Sequence, residues 1–502
     1  MQRTPRRLIA ITMLAALTTL VQLAAQDKLK HHQYKLYDVG TFGGHYSVTS
    51  TFATSLTRAG SIGLAETPSP DPYDPNCFYA CLVSHAFLWR NGVTRDLGAL
   101  PGSNGGNSSY GFAISDSGEV VGISENGQID PATGNPEAVG VVWKNRTLIN
   151  LGTFGGAQSI AADNNNRGQI VGWAMNTIAD PYSADLEFLG VAGSFPGTTQ
   201  LRAALWDRTG MHDLGTLGGP SALAFVVNDS GQIAGYSYTN FDPNPTTGIP
   251  TIDPFIWNRG HMTDLGSLGG TIGFANWMND RGQVVGQSNL AGDQNYHGFL
   301  WERGVLRDLS LGGSHAAANW ISDGGVGVGF SNLPGDQVYH SFLWNHRRMT
   351  DLGTLPGDQC SIAYSVNNQQ QVVGYSFNLC DDYSTRTAFL SENGRRMVDL
   401  NALIEPPSDL HVYAAFFVSE HGVIVGQGRL ANGDAHTVIL VPEGDCGSGC
   451  EQRIAASEHS NAIAQPASAG KGPFMLGQPE DRPQNRFGQS LSLPRPGVGP
   501  SN

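Results

Sequence analysis

The sequence contains few charged residues and almost no lysine. Asp, Glu, Lys and Arg make up 14% of its 502 residues, only five residues are Lys, and the formal net charge is −14. Such an acidic chain has few cations with which to release the counterions of nucleic acid or to dock on anionic lipid. We therefore expect neither nucleic acid nor an anionic membrane surface as a partner.

Beyond its N-terminus, the sequence also lacks an apolar run long enough to cross a bilayer. The N-terminal run, residues 8–25, follows three arginines and ends in small residues. This order is typical of a secretory signal peptide, and an uncleaved membrane anchor is the alternative. The prediction is a signal peptide over residues 1–25, a linker over residues 26–34, and a secreted or periplasmic mature chain without a membrane span.

Motifs that define common hydrolases and nucleotide-binding enzymes are missing. The sequence has no Gly-x-Ser-x-Gly, no His-Glu-x-x-His and no Walker loop. The glycine-rich run at 324–329 falls in register with a repeated strand motif, and no helix follows it. Residues 163–174 begin like a calcium loop, but the twelfth position is Ala174 where a bidentate acid is needed. We predict no catalytic residue, no metal and no cofactor.

Cysteine is scarce but occurs in close pairs. In an exported protein such pairs predict disulfides, and proximity selects the partners. Zinc is the weaker alternative, because the His and Cys spacings match no common zinc pattern. The candidate pairs are Cys77 with Cys81, Cys360 with Cys380, and Cys446 with Cys450.

Glycine is abundant, at 65 residues, and much of it falls in a repeat. Versions of Asp-Leu-Gly-Thr-Leu-Gly-Gly occur eight times, and from Asp38 to Asp399 they span 361 residues in seven steps. The mean period of about 52 residues is near the length of a four-stranded propeller blade. The copies begin at Asp38, Asp96, Asn150, Asp213, Asp264, Asp308, Asp351 and Asp399.

Two further motifs keep step with the first. A turn and strand of the form Asn-Asp-x-Gly-Gln-Val-Val-Gly is clearest at 228–235 and 279–286, and His-Ala-Phe-Leu-Trp stands at 85–89. We number the repeats as units one to eight by their copies of the His-Ala-Phe-Leu-Trp motif. These copies end at Trp89, Trp143, Trp206, Trp257, Trp301, Trp344, Ser391 and Leu440. Each unit resolves into four short strands joined by Gly-containing and Asn-containing turns, which indicates an all-β fold.

Both faces of the central strands are apolar. In 85–89, Phe87 and Trp89 share one face while Ala86 and Leu88 share the other, so each sheet must be covered on both sides. Radial stacking of sheets does this, whereas a two-layer sandwich leaves one face wet. We therefore predict a β-propeller of four-stranded blades over residues 35–442, with eight blades and seven as the alternative. The predicted core residues are Phe87, Trp89, Trp143, Trp206, Phe255, Trp257, Phe299, Trp301, Phe342, Trp344 and Phe389.

The ends of the repeat region complement each other. A lone strand at 34–39 precedes the first complete unit, and the last unit lacks its fourth strand. Pairing of the first strand with 436–441 would complete the last blade and leave no open edge. We also expect the truncation of Trp301 to Ala to cost about 3–5 kcal/mol of stability.

The three motifs resemble the HAF extracellular-repeat family, named for the run that stands here as His85-Ala86-Phe87. The resemblance covers residues 35–442 and implies an extracellular bacterial repeat protein without an assigned activity. A metal between the repeated histidines is conceivable, but we expect each His to hydrogen-bond a neighbouring unit. The first position of the motif departs from His at Val139, Arg202, Asp253 and Thr387.

The connections between the second and third strands differ between units. They are long in units one to four, at about 66–84, 124–137, 175–200 and 239–251, and short in the others. Long loops commonly carry function, and these are acidic and aromatic. We predict a ligand-binding rim that contains Tyr73, Phe78, Tyr79, Tyr182, Phe188 and Phe241.

The chain is thus predicted to be an exported, monomeric binding or surface-interaction scaffold for an extracellular glycan, peptide or surface protein. The alternatives are a propeller enzyme that acts on extracellular polysaccharide and a structural matrix protein. After the repeats, residues 443–502 are rich in Pro, Gly, Ser and Gln, which predicts a disordered tail.

Overall fold

A computed structural model describes residues 32–51, 53–72, 82–102, 107–183, 199–380 and 382–443. No helix within these ranges is long and apolar enough to cross a membrane. The predicted signal peptide, almost all of the predicted tail and several predicted site residues lie outside them. Those residues are Tyr73, Cys77, Phe78, Tyr79, Cys81, Phe188, Cys446 and Cys450.

The described part of the chain is all-β, with 33 strands that form mostly four-stranded antiparallel sheets. Unit one contains β2 Ser47–Thr49, β3 Leu56–Thr57, β4 Gly60–Pro70, β5 Leu82–Arg90 and β6 Val93–Asp96. Unit two contains β7 Ser109–Ile114, β8 Val120–Ile129, β9 Pro136–Lys144 and β10 Thr147–Asn150. Unit three contains β11 Ser159–Asn164, β12 Ile170–Ala179, β13 Thr199–Asp207 and β14 Gly210–Asp213. Unit four contains β15 Ala222–Val227, β16 Ile233–Tyr238, β17 Ile252–Asn258 and β18 His261–Asp264.

The second half of the chain repeats this order. Unit five contains β19 Gly269–Met278, β20 Val284–Leu290, β21 Tyr296–Glu302 and β22 Val305–Leu309. Unit six contains β23 Ala316–Ile321, β24 Gly327–Asn332, β25 Tyr339–Asn345 and β26 Arg348–Gly353. Unit seven contains β27 Cys360–Val366, β28 Gln371–Phe377, β29 Thr387–Glu392 and β30 Val398–Asp399, with short 3₁₀ helices at Tyr383–Thr385 and Leu400–Leu403. Unit eight contains β31 His411–Val418, β32 Ile424–Arg429 and β33 Ala435–Pro442, and its fourth strand is β1 Tyr34–Asp38.

Antiparallel order gives every unit two distinct ends. The turns between first and second strands and the hairpins between third and fourth strands lie at one end, which we term the turn end. The connections between second and third strands and the crossings to the next unit lie at the other, which we term the loop end. Residues at the loop end of different units can therefore meet.

Successive units pack side by side in a propeller-like manner. The second strand of one unit contacts the first strand of the next, as β4 does with β7, β12 with β15, and β28 with β31. The Gly of the Val-Val-Gly strand has its cause within the unit, since a Cβ at Gly122 or Gly329 would collide with the carbonyl oxygen of Tyr110 or Ala317 on the first strand of the same unit.

The first and last strands of the repeat region are hydrogen-bonded neighbours. β1 runs antiparallel to β33 from the pair Tyr34 with Pro442 to the pair Asp38 with Val438. The Tyr34 side chain is fully buried. Unit one also contacts unit eight, where the Thr437 amide donates to Ser47 Oγ at 3.0 Å. The order of strands in unit eight is thus β1, β33, β32, β31.

The predicted core positions differ in burial. Phe87, Phe255, Phe299, Phe342 and Phe389 are all 0% exposed. The tryptophans of units one to three, Trp89, Trp143 and Trp206, are buried as well, though less completely. Those of units four to six, Trp257, Trp301 and Trp344, are only partly buried. The phenylalanine of the motif, more than the tryptophan, forms the interior.

Candidate functional site

The repeated His has a structural partner within its own sheet. Nδ1 of His85 lies 2.9 Å from Asp96 Oδ2, and His297 Nδ1 lies 2.8 Å from Asp308 Oδ2. The same pair recurs as His340 with Asp351 and His436 with Asp38. The contact that these units share is therefore not the expected bond to a neighbouring unit, because the repeated Asp lies on the adjacent fourth strand, opposite the residue two positions after the His. His297 does make the expected bond as well, since its Nε2 lies 3.1 Å from the Gly313 carbonyl in the crossing to unit six. In unit three, Arg202 replaces His and pairs with Asp213 at 2.9 Å.

The other repeated polar residues also hold turns. Asp96 Oδ1 accepts a hydrogen bond from the Gly98 amide at 2.6 Å, and Gly98 has a φ of 69°, a conformation that favours glycine. At the turn end, Asn228 Oδ1 accepts from the Gln232 amide at 2.9 Å, and its Nδ2 donates to the Asn279 carbonyl of the next unit at 3.2 Å. These motifs are explained by architecture, so a functional site must be sought where the units differ.

Unit four carries two carboxyl groups where units one, five, six and eight carry the His and Asp pair. Asp253 stands at the His position, beside Asp264, and its Oδ1 is buried without a hydrogen-bond partner. Burial, and then the charge of Asp264, raise the pKa of Asp253 to about 7. Between about pH 4 and pH 7, the Asp253 carboxyl group is therefore protonated in the folded state but ionised in the unfolded state. The stability of the protein should consequently fall as pH rises from about 4 to about 7.

We expect Asp253→Asn to stabilise the protein by about 1–3 kcal/mol at pH 8, because it removes the buried charge. The gain should shrink as pH falls and vanish near pH 4, where the carboxyl is protonated in both states. Urea unfolding at several pH values measures this. Asp242→Asn, at an exposed carboxylate of the same unit, is the control. A gain that does not depend on pH would contradict the assignment.

The structure describes two of the six predicted rim residues. Phe241 is 61% exposed in the connection after β16. Tyr182 instead fastens its loop: its ring packs on Tyr238 with centroids 6.2 Å apart, and its carbonyl accepts the Tyr238 hydroxyl at 2.9 Å. The two residues therefore differ, since Phe241 is largely exposed while Tyr182 is partly buried against Tyr238.

The connection predicted over 124–137 is mostly strand. β8 continues to Ile129 and β9 begins at Pro136, so the loop of unit two is a tight turn between them. The polar and charged residues in this stretch led to the prediction of a loop, because here the two strands extend beyond the packed part of the sheet. The connection of unit four, by contrast, spans the predicted 239–251 between β16 and β17.

Buried acids lie at the bases of the loops in units one to three. Asp71, Asp130 and Asp180 each precede a proline and are at most 5% exposed. The carboxylate of Asp180 accepts a hydrogen bond from Ser221 of the next unit, and Asp130 Oδ1 accepts one from the Ala132 amide at 2.9 Å. These acids fix the loops to the sheets.

Glu125 is a further buried acid at the interface of units one and two. Its Oε2 accepts a hydrogen bond from the Ser108 amide at 2.7 Å, and its Oε1 is buried without a partner. Burial and the nearby Asp71 raise the pKa of Glu125 to about 8. A raised pKa is characteristic of a general acid, but this side chain is only 1% exposed, so a bound polymer would not reach it.

A second group of polar and aromatic residues lies at the loop end of units seven and eight. It contains arginines, whereas the bases of the long loops in units one to three carry acids. Sequence reasoning did not single it out. Its signal was the insertion at 378–386, which carries Cys380 and departs from the repeat. We term it the Tyr–Arg cluster, and it consists of Tyr364, Tyr375, Tyr383, Arg386, Tyr413 and Arg429.

Arg386 is the centre of the Tyr–Arg cluster. Its guanidinium carbon lies 4.9 Å from the ring centroid of Tyr413, 5.5 Å from that of Tyr375 and 5.6 Å from that of Tyr383. Burial raises the pKa of Tyr375 and of Tyr413, so their hydroxyl groups remain protonated at neutral pH. Cation–π contacts at such distances orient the guanidinium group.

The insertion is held in place covalently. Cys360, at the start of β27, forms a disulfide with Cys380, one of the three predicted pairs. The Cys380 carbonyl also accepts the Tyr339 hydroxyl at 2.7 Å. Within the described residues, no group of three or more His, Cys, Asp or Glu side chains could hold a metal ion. The loop end therefore carries acids and an exposed aromatic ring in units one to four, and arginines among tyrosines in units seven and eight.

No family model matches the sequence, and no curated protein sequence matches it. Among solved structures, hydrazine synthase from Kuenenia stuttgartiensis is similar with a TM-score of 0.33 and 10% identity, over 76% of this chain and 46% of that one. Trypanosoma rangeli sialidase in complex with sialic acid has a TM-score of 0.28 and 9% identity, over 82% and 58%. A glycoside hydrolase has a TM-score of 0.21 and 8% identity, over 83% and 94%. This chain thus spans about half the length of the first two structures.

Proposed function

We propose that the chain is an exported, HAF-like, eight-bladed β-propeller whose blades form a closed ring. Support comes from the sheets of mostly four strands, from the pairing of β1 with β33, and from the contacts of unit one with unit eight. In this proposal each unit is a blade, and the pairing of β1 with β33 covers the strand edge that the last blade would otherwise expose.

We infer that this propeller is a binding scaffold for an extracellular polymer and that its loop end carries the ligand site. The observation that carries the proposal is a difference between the repeated polar residues, which have structural partners, and the loop end, which varies between units. His85, Asp96 and Asn228, which represent the repeated polar positions, are engaged in bonds that hold sheets and turns. The loop end, in contrast, varies from unit to unit and exposes Phe241. A glycan is the favoured ligand, because aromatic rings with polar neighbours suit a sugar surface.

A screen of the secreted protein against a glycan array and soluble polysaccharides tests the proposal. We expect binding to at least one polymer, with a loss of about tenfold or more when Phe241, Tyr73 and Tyr79 are all replaced by Ala. Val305→Ala, at an exposed apolar residue of the turn end, is the matched control. Release of shorter products would favour the enzyme alternative. Binding to no polymer or surface protein would exclude the scaffold.

A further inference from the structure

The Tyr–Arg cluster brings two positive charges to one aromatic ring. The guanidinium carbons of Arg386 and Arg429 lie 4.9 and 5.0 Å from the ring centroid of Tyr413. The two cations are therefore within about 10 Å of each other, a distance at which they repel. An anion placed between them would be attracted by both.

Neither arginine is neutralised within the described part of the chain. No ion pair joins Arg386 or Arg429 to a described carboxylate, and Arg386 uses its Nε–H to bond the Tyr383 carbonyl at 2.7 Å. Arg202 pairs with Asp213 and Arg58 with Asp116, but other described arginines, such as Arg347 and Arg348, also form no ion pair with a described carboxylate. What distinguishes Arg386 and Arg429 is that both guanidinium groups contact the ring of Tyr413, which concentrates positive charge in a chain with a net charge of −14.

Several contacts hold the Tyr–Arg cluster in position without a ligand. The Arg386 backbone directly follows the 3₁₀ helix Tyr383–Thr385, which is capped by Asp382: the Asp382 carboxylate accepts a hydrogen bond from the Ser384 amide at 3.0 Å. The disulfide between Cys360 and Cys380 ties the start of the same insertion to β27. Because the side chain is already oriented, little conformational entropy is lost when its remaining N–H groups bind a ligand.

We propose that the Tyr–Arg cluster binds the carboxylate group of an acidic saccharide. A guanidinium group matches a carboxylate with two parallel hydrogen bonds, and a second cation nearby strengthens the attraction. Tyr383, which is 43% exposed, adds a ring face on which the sugar can lie. The site lies on units seven and eight, so it is separate from the long loops of units one to four. The proposal rests on the proposed function only in placing ligand binding at the loop end.

The negative charge of the whole chain does not prevent this. At physiological salt the Debye length is about 8 Å, so distant surface carboxylates are largely screened while the two guanidinium groups act at contact. The site would select a short acidic saccharide with a positioned carboxylate rather than any polyanion. Binding should weaken as salt rises, because part of the attraction is between charges.

The experiment measures binding of a tetrameric oligogalacturonate by calorimetry, with its methyl-esterified form as the neutral counterpart and a sulfated oligosaccharide as a second anion. We expect the free acid to bind at least tenfold more tightly than the ester. Arg386→Gln and Arg429→Gln should each weaken binding of the acid at least tenfold and leave binding of the ester unchanged. Arg386→Lys should recover only part of the affinity, because lysine lacks the planar fork.

Arg348→Gln is the matched control, because Arg348 is an exposed arginine at the turn end. Melting temperatures of all variants establish that they are folded, and Arg429 is exposed enough that its replacement should not disturb the core. Equal affinity for acid and ester, equal loss in Arg348→Gln, or tighter binding of the sulfated sugar would overturn the proposal. If another polymer binds through the long loops while the acid does not, the carboxylate site fails and the proposed function stands.

Discussion

Removal of strand β1 should lower the free energy of unfolding by about 3–6 kcal/mol, the largest effect expected from any short deletion. A chain that starts at Gly40 would lose the five-residue ladder between β1 and β33. It would also lose the fully buried Tyr34 side chain and the hydrogen bond between His436 and Asp38. The edge of β33 would then be open to other chains.

A chain that starts at Gln33 retains β1 and is the matched control. Urea unfolding compares the two chains, and size-exclusion chromatography reports association through the open edge. Leu36→Pro, which places a residue without an N–H in the strand opposite Leu440, should reproduce part of the loss in an otherwise complete chain. Equal stability of the long and short chains would show that the ring does not depend on β1, and the closure proposal would be abandoned.

Truncation of Phe299 to Ala should cost about 3–5 kcal/mol, because the side chain is 0% exposed and its removal leaves a cavity between units. The sequence led us to expect this cost for Trp301. The structure changes that expectation, since Trp301 is only partly buried while Phe299 lies two residues away in the interior. We now expect Trp301→Ala to cost about 1–3 kcal/mol.

Thermal and urea unfolding of both variants measure the difference. Trp89, which occupies the same repeat position in unit one and is 8% exposed, supplies an internal comparison, and Trp89→Ala should be costlier than Trp301→Ala. If Trp301→Ala proves as damaging as Phe299→Ala, burial in the isolated chain does not represent the state in solution.

The all-β architecture was predictable because its causes are local and repeated. Alternation of apolar residues over 85–89 indicates a strand covered on both faces, and Asn228 with Gly231 marks a turn without any knowledge of the partner strand. Eight copies of the same pattern average out the ambiguity of each copy. Even the disulfide between Cys360 and Cys380 followed from proximity in the sequence.

The candidate sites were less predictable, because they depend on residues from different units. Tyr182 has the composition of a binding residue, yet it packs on Tyr238, far along the chain. The partner of His85 was misjudged, because the register of the third and fourth strands is needed to bring Asp96, which pairs with Phe87, within hydrogen-bond distance of His85. Nothing in the separate segments around Arg386 and Arg429 indicates that they share a tyrosine ring.

By itself, the sequence determined most of the strands and turns, because side-chain alternation and turn chemistry act over a few neighbouring residues. Only the tertiary structure decided which charges are buried, paired or left without a partner. The physical reason is that burial and Coulomb interactions depend on distances between groups from different strands and units, and those distances exist only once the sheets have packed together.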